Sequence, residues 1–313
     1  MAKNVLAFGE ILWDILPAGT ILGGAPFNFA CRVDSLGDRS RFVSRLGTDD
    51  AGKKAHETVK KMGLDTSLIQ WDPDHPTGTV LVSFDEHGKP DYVIVPSVAY
   101  DFIEVTDKLL DTAMNADLFC FGTLVQRSEK TRDTLYSLLE KASGAVKLLD
   151  INLRKDCYSE ETVRTSLEAS DILKLNDDEA FELDEMLDIG SAGLPDFCKK
   201  MVDKWPIGIC LVTLGERGVF AYSVEDGPVY VPGCRVDVGD TIGSGDAFTA
   251  GFVHSFLQGL PLAGACEFGN ELGAVVATQK GATRPIEPGA LEDMGKKERI
   301  VDPDLKNFRD RKL

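Results

Sequence analysis

The run Asp240-Thr241-Ile242-Gly243-Ser244-Gly245-Asp246, followed at once by Ala247-Phe248-Thr249-Ala250-Gly251-Phe252, puts a glycine-rich turn, a helix start and a carboxylate at one point. Glycines let backbone N–H groups approach an anion closely, and a helix N-terminus adds free donors and the positive end of its dipole. The combination is a phosphate cradle. Asp246 at its rim could take the proton of an attacking hydroxyl, the task of a base in hydroxyl phosphorylation. A plain tight turn with an acid in the first helical turn is the competing reading. The acids at both ends of the loop, Asp240 and Asp246, and the long helical pattern behind it favour the cradle.

Other candidate motifs fall away. Gly47-Thr48-Asp49-Asp50-Ala51-Gly52-Lys53-Lys54 imitates a P-loop, but Lys54 stands where a hydroxyl should hold Mg²⁺, and Asp49 and Asp50 would aim charge at the phosphates. A helix-capping turn explains it better. No Gly-x-Gly-x-x-Gly follows the first strand, which argues against a dinucleotide-dependent dehydrogenase. The four histidines, 56, 75, 87 and 254, are not clustered with other metal ligands.

The elements that position the loop follow from apolar periodicity and its punctuation. Residues 4–8 read as a buried strand, and 11–16 as an apolar run stopped by Pro17. Gly23-Gly24-Ala25-Pro26 opens a helix over 27–36, residues 42–47 form a strand, and 51–62 a helix ended by Gly63. Residues 78–84 and 92–95 then flank a turn-rich 85–90, a β-hairpin with no helix between its strands. The spacing predicts a small β lid there, joined by 11–22. From residue 105 the alternation returns, with strands at 118–121, 147–151, 172–175 and 209–213 and helices near 128–142, 160–168, 177–187 and 194–203. Two short strands, 218–223 and 228–231, precede the cradle. The helix behind it runs to about residue 258, where Gly259 and Pro261 stop it. Such βα repetition favours a mostly parallel sheet with its chemistry at the carboxyl ends of strands. The charged tail after Pro288 reads as dispensable.

Length and composition agree. With 313 residues and 43% hydrophobic content the chain can bury the core of one large α/β domain. Its 34 basic and 51 acidic residues give a formal charge of -17, which opposes binding to nucleic acid or anionic membranes, while Mg²⁺ could make a nucleotide site locally positive. The seven cysteines are odd in number and include no Cys-x-x-Cys pair, so reduced thiols are expected. The apolar run at the start is too short for a signal peptide, and no stretch approaches the length of a membrane span. A cytoplasmic protein is the expectation.

Several motifs in order, from about Val5 to Pro285, resemble the ribokinase-like (PfkB) family of carbohydrate kinases. Gly23-Gly24-Ala25-Pro26-Phe27-Asn28 and Arg45-Leu46-Gly47-Thr48-Asp49-Asp50-Ala51-Gly52 match its first consensus region, and the loop at 240–252 its second. The resemblance implies a single ribokinase-like α/β domain over 1–313. Its mostly parallel central sheet would be flanked by helices, with the β lid inserted from about 11–22 and 77–102. It makes Asp246 the catalytic base and Gly243, Ser244 and Gly245 the anion hole. Asp14, Gly24 and Asn28 would bind sugar hydroxyls, a carboxylate and an amide suiting a polyol.

By the same resemblance Asn176 and Glu179, in Asn176-Asp177-Asp178-Glu179, would meet the ATP phosphates and the water shell of Mg²⁺. A helix capping box fits their spacing equally. Thr213, Gly215 and Gly218 match the family's nucleotide turn, and Asn270 and Gly281 its adenine pocket. Asp240 and the Ile242 carbonyl fall where some members hold K⁺. Asp150-Ile151-Asn152-Leu153-Arg154 resembles the Asp-x-Asn-x-Arg run of fructokinase-like and ketodeoxygluconate-kinase-like members. Arg154 could pair with a substrate carboxylate, assist the phosphate or hold the neighbouring acid.

The expectation is an ATP-dependent sugar kinase, fructokinase-like in the first place, converting fructose to fructose 6-phosphate. Alternatives are a 2-keto-3-deoxygluconate kinase, a ribokinase or a nucleoside kinase. A non-catalytic sugar-binding sensor would be marked by loss of the base or the anion-hole glycines, and both are present. A homodimer through the lid and a monomer are equally consistent with the sequence.

Overall fold

The computed structural model describes residues 2–16, 19–84 and 90–306. In chain order, strands β1 (Asn4–Phe8), β2 (Leu12–Leu16) and β3 (Gly19–Gly23) precede helix α1 (Ala25–Ser35), strand β4 (Arg39–Gly47) and helix α2 (Asp50–Lys61). Strands β5 (Ile69–Asp72), β6 (Gly78–Phe84) and β7 (Pro90–Ile94) follow. Next come α3 (Asp107–Met114), β8 (Leu118–Phe121), α4 (Glu129–Lys141), β9 (Val146–Asp150), α5 (Glu160–Glu168), β10 (Ile172–Asn176) and α6 (Asp177–Met186). After α7 (Leu194–Lys204) lie β11 (Ile209–Thr213), β12 (Val219–Ser223), β13 (Gly227–Val231) and β14 (Gly233–Cys234). The chain continues through α8 (Ser244–Leu257), α9 (Leu262–Ala277), α10 (Ala290–Gly295), β15 (Arg299–Ile300) and α11 (Pro303–Lys306).

A nine-stranded sheet in the order β13-β12-β11-β10-β9-β8-β1-β4-β5 forms the centre. Every pairing from β11 to β5 is parallel, and only β12 and β13 run against their neighbours. This is the mostly parallel, helix-flanked α/β arrangement expected. Side chains alternate across the sheet, so Val5 and Ala7 of β1 join the core beneath α1, α2, α8 and α9, while Leu6 and Phe8 join the core beneath α3 to α7. Burial on both faces explains why the strands read as continuous apolar runs. The chain runs outward from β1 in both directions, placing a topological switch between β1 and β8, where ligands collect at strand ends.

A separate four-stranded sheet, β3-β2-β6-β7, holds the expected hairpin. Its β6 and β7 are antiparallel, β2 lies parallel to β6 over the expected apolar run, and β3 adds a further strand after it. The turn at 85–89, including His87, lies outside the described residues. Among the described residues no helix is long and apolar enough to cross a membrane.

The tail after Pro288 differs from its reading as dispensable. Met294 of α10 is buried against Cys234 and Val275, β15 pairs with β14, and Leu305 of α11 is buried in the larger core. Charge on most of its positions hides a few apolar anchors. Residues 307–313 lie outside the described residues.

Candidate active site

The cradle forms as its residue types dictate. Gly243 caps α8 in the left-handed region (φ 77°), and a β-carbon there would stand 2.3 Å from that of Ala282, so only glycine fits on both counts. Among the described residues the N–H groups of Gly243, Gly245 and Asp246 have no acceptor, leaving three donors at the positive end of α8. Ser244 departs from its expected part in the anion hole: its N–H already donates to the carbonyl of Thr241 at 3.2 Å, and its hydroxyl to that of Gly273 at 3.0 Å. The tight turn that presents its neighbours consumes it.

Asp246 faces α1. Its Oδ2 accepts from Asn28 Nδ2 at 2.9 Å, while Asn28 Oδ1 is buried with no partner, an open position for a hydroxyl donor. Burial first, and then the neighbouring carboxylate of Asp150, push the Asp246 carboxyl up to about 6; Asn28, Lys174 and Arg154 pull the other way. Helix α1 starts at Gly24 and Ala25-Pro26, with Glu10 Oε1 accepting the Ala25 N–H at 3.1 Å. A β-carbon on Gly24 would lie 2.5 Å from the Glu10 carbonyl oxygen, so Gly24 serves the close packing of this corner. Four residues after Asn28, the buried Arg32 donates to the carbonyls of Ala282 and, at 2.7 Å, Arg284. The helix carrying Asn28 is thereby tied to the loop that covers Gly243.

Asp14 projects from β2 with its Oδ2 2.7 Å from where a β-carbon on Gly23 would stand. Burial raises its carboxyl above the ordinary value, and Arg154 lowers it. Arg154 is exposed and makes no ion pair among the described residues, yet its charge acts on Glu10, Asp14 and Asp246 alike. It does not hold the neighbouring Asp150, which is bonded to Lys174 and Thr249.

On the other side of the cradle lies a cleft of about 380 Å³, lined in part by Asn176, Thr213, Gly215, Gly218, Gly245 and Asn270. Its size is that of a small-molecule site. Asn176 and Glu179 form a full capping box on α6, with Asn176 Oδ1 accepting from the Glu179 N–H and Glu179 Oε2 from the Asn176 N–H, each at 2.8 Å. Glu179 Oε1 also accepts from Leu153 N–H at 2.9 Å. Asn270 Nδ2 donates to the carbonyl of Val231 at 3.1 Å, fixing the end of β13. Gly218 (φ 95°) lets its backbone approach the Val231 carbonyl, where a β-carbon would stand 2.1 Å away. Gly281 is outside the cleft lining; its N–H donates to Asp240 Oδ2 at 3.2 Å, and Asp240 Oδ1 accepts from Ile242 N–H at 3.0 Å. Asp240 thus joins the cradle to the loop after α9.

Three polar residues of the site carried no assigned role in the sequence reading: Glu10, Asp150 and Lys174. Burial pushes the Glu10 carboxyl up to about 7. The available signal was a lysine in the apolar run Ile172-Leu173-Lys174-Leu175, since an ammonium is rarely buried without a partner.

Known proteins share both sequence and architecture with the chain. Residues 18–288 match the model of the pfkB family carbohydrate kinase. Fructokinase-2 of Oryza sativa subsp. japonica is 29% identical over 307 residues, covering 89% of each chain. The fructokinase of Vibrio cholerae O395, in its fructose, ADP and calcium ion bound form, is 25% identical with a TM-score of 0.78, over 93% of this chain and 98% of that one. The fructokinase of Xylella fastidiosa with bound ATP shares the fold, with a TM-score of 0.81 at 22% identity over 93% and 98% of the two chains.

Proposed function

This chain belongs to the pfkB family of carbohydrate kinases, and from that premise we propose that it transfers the γ-phosphoryl group of ATP to the 6-hydroxyl of fructose. The observation that carries the reading is the meeting of Asp246, held by Asn28, with the three free N–H donors at the start of α8. The names of the rice and Vibrio relatives support fructose as the acceptor.

The sugar would lie between the small sheet and the main sheet, with Asp14 and the open Asn28 Oδ1 accepting from its hydroxyls. Asp246 is largely ionised at neutral pH and takes the proton of the attacking hydroxyl at its carboxylate. The N–H groups of Gly243, Gly245 and Asp246 meet the charge on the phosphoryl oxygens, where a prearranged dipole is most effective. Closing of the small sheet as a lid would exclude water. ATP would occupy the cleft lined by Asn176, Thr213, Gly215, Gly218 and Asn270 and supply the phosphoryl group, its charge partly neutralised by Mg²⁺. Glu179 keeps lone pairs for the water shell of that ion beyond its two backbone bonds. Asp240 and the Ile242 carbonyl would hold K⁺; the nearby Gln279 Oε1, buried without a partner, fits a cation in this loop.

One observation favours a second acceptor. Arg154, which makes no ion pair among the described residues, suits an acidic sugar, such as 2-keto-3-deoxygluconate. A homodimer through the lid is also proposed: Ile15, Leu81 and Val93 sit opposite one another across three strands and are 38%, 46% and 50% exposed. Seven unpaired, buried thiols suit a reducing cytoplasm.

A coupled ATP assay over fructose, ribose, 2-keto-3-deoxygluconate and nucleosides, with Mg²⁺ and with or without K⁺, tests the reading. Highest kcat/KM for fructose supports it; preference for the acidic sugar selects the second acceptor, and sugar binding without turnover on any of them rejects a kinase.

A further inference from the structure

Lys174 stands in the apolar strand β10 and is 7% exposed. Its Nζ donates to Asp150 Oδ1 at 2.9 Å, from the end of the adjacent strand β9. Oδ2 of the same carboxylate accepts from Thr249 Oγ1 at 2.9 Å, one turn into α8 beyond Asp246. On its other side the Lys174 Nζ lies 3.4 Å from where a β-carbon on Gly245 would stand. The ammonium therefore sits directly beneath the first turn of α8, the turn that carries the free N–H donors and the base.

Stability alone does not account for such a pair. Exchanging a buried ion pair for apolar residues of similar volume is often neutral or favourable, because desolvation offsets much of the attraction. The charges around Asp246 give the pair a different use. Asp246 is faced by Asn28 from α1, Glu10 beyond β1, the Cys120 thiol from β8, Asp150 from β9, Lys174 from β10 and Arg154 from the loop after β9. Of the two cations only Lys174 is buried and fixed by a hydrogen bond.

We propose that Lys174 is a positioning residue for phosphoryl transfer, a buried cation that balances the Asp246 carboxylate from below the cradle. Through Asp150 and Thr249 it ties the first turn of α8 to the sheet. The proposal rests on Asp246 acting as the base. Like-charge and opposite-charge neighbours displace a carboxyl in opposite senses, so the two members of the pair have opposite signatures.

The test is the pH profile of kcat/KM for wild type, Lys174→Met, Asp150→Asn and the double variant. Lys174→Met is expected to move the acid limb up by about one pH unit and to lower kcat at least about tenfold, with sugar KM changed less than about threefold. Asp150→Asn is expected to move the limb down, and the double variant to return it close to wild type. Unmoved limbs in both single variants, displacement of both in one direction, or wild-type kcat in Lys174→Met would overturn the proposal. Should Lys174→Met fail to fold, a limb moved down in Asp150→Asn and restored in the double variant supports the proposal, and an unmoved limb in Asp150→Asn overturns it. An inactive Asp246→Asn with unmoved limbs removes this proposal and leaves the base assignment standing; an active Asp246→Asn removes both.

Discussion

Asn28 and Asp246, 218 positions apart in the chain, share a 2.9 Å hydrogen bond that leaves the amide's other end, Oδ1, buried and unpartnered. The amide works as a gauge. One end fixes the carboxylate, and the other accepts only a group that brings a donor, so a hydroxyl that satisfied it would come to rest beside the proposed base.

Asn28→Asp removes the donor and sets a like charge against the base. Sugar KM is expected to rise by about tenfold or more, and the acid limb of the pH profile to move upward, since a second carboxylate disfavours ionisation of the first. A limb at the wild-type position would show that Asn28 does not govern the base.

Asp246→Asn keeps the shape and removes the proton acceptor. A fall in kcat of about 10³-fold, with sugar KM changed less than about threefold, is the expected result. With Asp246 as the proposed base the ionised carboxylate is the working form, so kcat/KM should rise with pH through a midpoint near 6, the value to which burial and Asp150 push this group. Steady-state kinetics from pH 5 to 8 on both proteins check the pair of statements.

Glu10 titrates against stability. Its carboxyl is raised from 4.5 to about 7 in the folded protein, so the fold binds this proton more tightly than the unfolded chain does. The resulting stabilisation is complete below pH 4.5 and is lost as pH rises through 7, at most roughly 3 kcal/mol. Glu10→Gln keeps an acceptor for the Ala25 N–H and removes the titration. Its Tm relative to wild type should be higher at pH 8 than at pH 4.5, and thermal melts showing no such crossover reject the assignment.

Gly243→Ala combines a left-handed backbone with a β-carbon 2.3 Å from Ala282. The turn must open, which displaces the N–H donors from the phosphates; about 10²-fold loss of kcat/KM for ATP is expected, a loss of the size seen when an oxyanion-hole donor is removed. Sugar affinity, measured by calorimetry without nucleotide, should change little.

Truncation after Pro288 tests the tail. It removes Met294 from its contact with Cys234 and Val275 and leaves β14 without β15, so a loss of several kcal/mol is expected from the missing apolar burial alone. Denaturant melts of the truncated chain decide it, and unchanged stability would restore the sequence reading.

Most of the architecture was legible because strand and helix alternate with glycine and proline at their ends. Several elements were not, among them α3, β5, α9 and the short pieces after Pro288, and two of these show why. Strand β5, Ile69-Gln70-Trp71-Asp72, is a short edge strand of mixed polarity, and the parallel partner that makes it a strand, β4, is tertiary information. Helix α9 is rich in alanine and glycine and packs against α8, so it has no clear polar face for periodicity to find. Local motifs likewise exposed the glycine cradle and Asn28. The Lys174–Asp150 pair depends on the register of β9 against β10, and the Thr241 turn that occupies the Ser244 N–H depends on backbone geometry that no residue type announces. The capping box at Asn176 and Glu179 was one of two readings that spacing alone allowed.

Strand β1 lies in the interior of the main sheet, between β4 and β8, although it is the first strand of the chain. During synthesis it leaves the ribosome long before β8 can cover its second edge, and Asp14 and Asn28 wait longer still for α8 to deliver Asp246. The nascent chain therefore carries an apolar strand with one open edge through much of translation, a demand on chaperones rather than on the finished enzyme. Activity can arise only after α8, which carries Asp246, has emerged.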